Sequence, residues 1–133
     1  MKDFKQFLQH YCEKTGNHFL EYSDTIAIIT VNLPDNRKQE VHAYLIEREK
    51  VHLVEFMSKV VDIEKQAIDY KEVLQLNQQW CCYSRFVLYG GMLQCAASAH
   101  YADCSQKQMA SMLEEVGKLA DQMELELTGE DVF

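Results

Sequence analysis

Vicinal thiols at Cys81 and Cys82, with Cys12, Cys95 and Cys104 elsewhere in the chain, are the residue types that could supply metal ligands, a redox pair or a nucleophile. Their spacing argues against each role. There is no CxxC and no even disulfide framework, so reduced thiols are expected. If the vicinal pair opens a strand, alternation sends the two side chains to opposite faces and chelation becomes awkward. The cysteines are therefore expected to act as small apolar residues, dispensable to the central activity.

The histidines offer no better constellation. If Glu49-Lys50 is a two-residue loop between two strands, His42 lies across from Met57 and His52 across from Glu47, on opposite faces of the sheet. A three-residue loop would change that register, yet two histidines still fall short of the three or four ligands zinc takes. His10, His18 and His100 have no carboxylate or thiol at diagnostic spacing. Gly90-Gly91 joins two strands as a tight turn and does not open a helix toward a phosphate. Paired carboxylates occur as Glu114-Glu115, Glu124-Glu126 and Glu130-Asp131, where a solvated helix face or tail is expected. No catalytic residue, metal site or cofactor is predicted.

The elements that hold these residues follow from periodicity. Phe4, Phe7, Leu8 and Tyr11 have helical spacing over 2–14, and Gly16-Asn17 supplies a stop. Residues 18–33 read as a strand broken near Ser23-Asp24 and ended by Pro34-Asp35-Asn36; 38–48 and 51–62 are two further strands. A middle helix is predicted over 67–76, and a hairpin over 82–89 and 92–101, with Trp80 anchoring the hairpin's start beside that helix. The last helix begins near Ser105, which has capping-box spacing with Gln108, and carries Met109, Met112, Leu113, Val116, Leu119, Ala120, Met123 and Leu127 on one stripe. Core packing is the expected job of its three methionines. Gly129 and an acidic tail end the chain. The order is αβββαββα: one α+β domain over 1–133 with an antiparallel sheet and helices packed on it.

In the predicted register, Val41, Ala43, Leu45, Val54 and Phe56 share one face of the sheet, while Tyr44, Ile46, Val51, Leu53 and Met57 share the other. Both faces are largely apolar. A single helical layer covers one of them, so the other must meet a second copy or a partner segment. The partner-binding or dimer face is thus expected at Tyr44, Ile46, Leu53 and Met57. If the helices instead divide between both faces, this expectation fails.

The net charge of −8 and pI near 5 argue against a phosphate backbone as partner, since nucleic-acid affinity rests on clustered Lys and Arg. Arg37-Lys38, Arg48 and Lys50 are interleaved with acids and read as solvated turns. No apolar run approaches the roughly 20 residues of a membrane span, and the start of the chain shows no secretion signal, so the expected location is cytoplasmic.

The segment 71–127 resembles the YbjN family of bacterial proteins. The resemblance rests on Lys71-Glu72-Val73-Leu74-Gln75-Leu76-Asn77, on Ser84-Arg85-Phe86-Val87-Leu88 with the Gly turn after it, and on Leu113-Glu114-Glu115-Val116 with Leu119-Ala120-Asp121-Gln122-Met123. That family is similar in fold to the chaperones of type III secretion systems. The resemblance implies a non-catalytic, commonly dimeric domain whose sheet and helix surfaces hold an extended segment of a protein client. The hairpin cysteines match no motif of the family. The expectation is a homodimer that binds an unknown protein client, chaperone-like or as a regulatory adaptor. The alternatives are a small-molecule or thiol-dependent sensor or enzyme using those cysteines, and a structural subunit of a larger complex.

Overall fold

The computed structural model describes residues 2–129. Helix α1 is Lys2–Thr15; strands β1 (His18–Glu21), β2 (Ile26–Asn32), β3 (Lys38–Arg48) and β4 (Val51–Asp62) follow; then come α2 (Tyr70–Trp80), β5 (Arg85–Tyr89), β6 (Met92–His100) and α3 (Gln106–Thr128). The six strands form one antiparallel sheet in the order β1-β2-β3-β4-β6-β5. The α+β class holds, with one strand more than the sequence order anticipated. The break near Ser23-Asp24 is a full reversal: the Tyr22 and Ser23 amides both donate to the Ile26 carbonyl, folding 18–33 into a hairpin.

Two-residue turns fix the register of two further hairpins. Tyr89 pairs with Met92 across Gly90-Gly91, whose φ values of 61° and 74° glycine adopts without strain. Arg48 pairs with Val51 across Glu49-Lys50, so His42 does face Met57 and Glu47 does face His52. Here the left-handed φ of 53° and 67° falls on residues that have a Cβ.

Helix ends follow local chemistry. Asp69 caps α2 by accepting from the Glu72 amide, so that helix starts at Tyr70 and not at 67. It also runs further, to Trp80, which is therefore the last residue of a helix and not the start of a hairpin. Cys81, Cys82 and Tyr83 lie in the connection to β5, so the strand alternation expected to part the two thiols does not apply to them. Ser105 caps α3 through the Gln108 amide, and Gly129 closes it in a left-handed conformation.

The apolar stripes of all three helices and the inner face of the sheet form one core. Helix α3 crosses β3, β4 and β6, α1 lies against β1, and α2 against β5. Val41, Ala43, Leu45, Val54 and Phe56 are buried in that core, as are Met109, Met112 and Met123. The helix comes closest at Gly117, where an added Cβ would sit 3.2 Å from Val41 Cγ2. No helix among the described residues is long and apolar enough to cross a membrane.

Candidate functional site

Among the described residues, no helix lies on the other face of the sheet. Tyr44, Ile46 and Leu53 are half-buried there by their strand neighbours alone; Met57, at 9% exposed, sits among them, and Val51 is exposed at the hairpin end. Ile46 is paired with Leu53, Tyr44 with Glu55, and His42 with Met57. A groove of about 730 Å³ runs over this face, lined by Tyr44, Ile46 and Met57 together with residues of β5, β6 and Tyr83. The structure thus brings three of the four expected residues into one groove and sets Leu53 beside it.

The electrostatics of this face are mixed. Tyr44 Oη lies 3.2 Å from His42 Nδ1, and the Ser98 hydroxyl donates to Glu55 at 2.9 Å. Burial lowers the pKa of His42, and nearby Lys59 adds to this against the opposite pull of Glu40. The neutral imidazole is favoured, which suits an apolar contact surface. Burial raises the Tyr44 pKa, with Tyr89 and Glu55 acting in the same direction.

The two strand edges differ. On β5, the Ser84 amide just before the strand donates to Glu115 at 2.7 Å; within it, the Phe86 amide donates to Asn77 Oδ1 at 2.6 Å while the Asn77 amide donates back to the Phe86 carbonyl at 3.4 Å. Side chains from α3 and α2 therefore occupy the outward groups at the start of β5, through Phe86, that a further strand would need. On β1, among the described residues, no group outside β2 hydrogen-bonds to the backbone. One edge is capped at its start and the other is open.

Glu115 does more than cap an edge. Its carboxylate also accepts from the amides of Cys82 at 3.1 Å and Tyr83 at 2.8 Å and from the Ser84 hydroxyl at 2.6 Å. Burial works to raise its pKa, but the Ser84 hydroxyl and the three amides outweigh it and hold the carboxyl below its ordinary value. This corrects the expectation of a solvated carboxylate pair. Glu114 accepts from the Tyr11 hydroxyl, Glu124 is buried at 1% exposed, and Glu130-Asp131 lie outside the described residues. Arg37 is likewise no free turn residue: its Nε–H donates to the buried Asp121 at 2.9 Å, tying the β2–β3 connection to α3.

Four of the thiols are shifted upward. Burial pushes Cys12 up to about 11 and Cys95 up to about 12, and also raises Cys81 and Cys104. At neutral pH such thiols stay protonated and are poor nucleophiles and poor ligands. Among the described residues no three of the His, Cys, Asp and Glu side chains converge as a metal site.

No family model matches the chain, and no curated protein sequence matches it. Among solved structures, the type III secretion chaperone SycH of Yersinia pestis, in complex with a stable fragment of YscM2, is similar to it with a TM-score of 0.57. The identity is 16%, over 89% of this chain and 97% of that one. The likeness is one of architecture, and by it this chain is folded like a type III secretion chaperone.

Proposed function

We propose that this chain is a non-catalytic protein-binding domain, chaperone-like or a regulatory adaptor, that acts in the cytoplasm as a homodimer and holds a segment of another protein. The observation that carries this reading is the helix-free sheet face with an apolar centre at Tyr44, Ile46, Leu53 and Met57. Apolar surface of that extent facing water is unfavourable, and aromatic, branched and flexible side chains are those that anchor interfaces. The open β1 edge adds a place for backbone pairing with an extended client. SycH is bound to a protein fragment in its solved structure, and a comparable use here is part of the proposal. So is kinship with YbjN-like proteins, which rests on the residues of 71–127. The thiol-dependent alternative is disfavoured by the raised pKa values of Cys81 and Cys95.

Ile46→Asp tests the assignment of faces. A carboxylate at a half-exposed position should leave the circular dichroism spectrum intact, costing at most about 1 to 2 kcal/mol. Capture of client from the native cell, read by mass spectrometry, should be lost. An unfolded variant would place Ile46 in the monomer core, and an unchanged client list would remove this face from the binding surface.

A further inference from the structure

Two of the chain's three arginines, Arg48 and Arg85, line the groove on the open face. The third, Arg37, has carboxylate partners in Asp121 and Asp35. Among the described residues, neither Arg48 nor Arg85 has one. Arg85 donates a single bond, to the Ser84 carbonyl at 2.5 Å, and a guanidinium has five N–H groups to give. The carboxylate lining the groove, Glu55, receives the Ser98 hydroxyl. Two exposed guanidiniums unpaired with carboxylate, in a chain with 21 acidic residues against 13 basic ones, are free to take anions supplied from outside.

Register gives their separation. Arg85, Ala96, Met57 and His42 form one row across β5, β6, β4 and β3, and Arg48 lies six residues beyond His42 along β3. At about 3.4 Å per residue and about 4.8 Å per strand the two arginines are roughly 20 Å apart along the strands and roughly 14 Å across them. The diagonal is roughly 25 Å, which an extended chain spans in about seven residues. The register sets Ser98 and Leu53 on that diagonal, with Glu55 and Ile46 at its side and Met57 and Tyr44 further from it.

We propose that the groove takes an extended peptide segment bearing two carboxylates about seven residues apart with apolar side chains between them, and that Arg48 and Arg85 select it. This rests on the open face being the partner face. A polyanion fits poorly, because the groove's centre is apolar and contains Glu55. A second copy laid groove to groove would offer one groove carboxylate, its own Glu55, to two arginines. The net charge of −8 opposes an acidic segment at long range, but screening over about 8 Å at physiological salt leaves contact charges dominant.

Selection of a display library of random twelve-residue peptides against the full chain tests the proposal. The enriched peptides should carry two Asp or Glu at the stated spacing, flanking aliphatic or aromatic residues. Against the R48Q/R85Q double variant, the strongest peptide should lose on the order of tenfold in affinity. Its Glu→Gln version should lose as much against the unmodified chain, and combining both changes should cost little more. No enrichment, enrichment without acidic bias, or equal affinity for R48Q/R85Q would overturn the proposal. If Ile46→Asp still abolishes binding of whatever is enriched, the open face survives as the partner face; if Ile46→Asp binds normally, both readings fall. A change of oligomeric state in R48Q/R85Q would make a second copy the occupant and overturn the proposal as well.

Discussion

Glu115 holds the connection between α2 and β5 through four hydrogen bonds to one carboxylate, three of them from consecutive amides. Hydrogen bonds to an ionised acceptor are the stronger kind, but the Cys82 and Tyr83 amides can turn to water when it is removed. Glu115→Ala should therefore cost about 1 to 3 kcal/mol in denaturant unfolding. Because the folded pKa lies below the ordinary 4.5, this contribution is full above that value and is lost as pH falls through the lower folded value. The stability gap between the variant and the unmodified chain should close in acid; a gap that stays constant down through that range would show that the carboxylate's charge does not matter. None of this could be read from the sequence. Glu115 and Ser84 are 31 residues apart, no local period links them, and a Glu-Glu pair on an amphipathic helix looks solvated. Asn77 was part of the segment that carried the family resemblance, but its bond to Phe86 depends on how α2 packs beside β5.

Strand pairing, by contrast, was readable where alternation and turn length acted together. The register of β3 and β4 follows from a two-residue Glu49-Lys50 turn, and the division into a core face and a second face follows from that register. The connection after α2 departs from the predicted strand because Trp80 and Tyr83 have strand preference, while tertiary packing of Trp80 against Phe86 extends the helix instead. The β3–β4 turn carries its own cost. Both of its residues have left-handed φ with a Cβ present, at about 1 kcal/mol or more each. Replacing Glu49-Lys50 by Asn-Gly should stabilise the chain by about 1 to 2 kcal/mol, seen as a rise of roughly 3 to 6 °C in Tm. An unchanged or lower Tm would mean that the native turn is held by contacts that the replacement removes.

At the scale of the molecule, a two-layer fold with three helices on one side leaves a six-stranded face to be covered. Six strands about 4.8 Å apart and averaging roughly 25 Å in length present on the order of 700 Å², close to the roughly 800 Å² that one partner contributes to a standard interface. A seven-residue segment lying on the diagonal leaves much of that uncovered, chiefly on the side of β1 and β2. There Leu20, 52% exposed, is paired with Ile28 on the same face, and Ile26 is paired with Tyr44. A homodimer is the expected state, with this apolar margin against its copy, which keeps the arginine groove free for a client. Light scattering from low to high micromolar concentration should report twice the chain mass. Leu20→Asp, at an exposed position where a charge does not disturb the core, should shift the protein to monomer with its thermal stability little changed. A monomer at every concentration would remove the homodimer, and a dimer indifferent to Leu20→Asp would move the contact away from the β1–β2 margin.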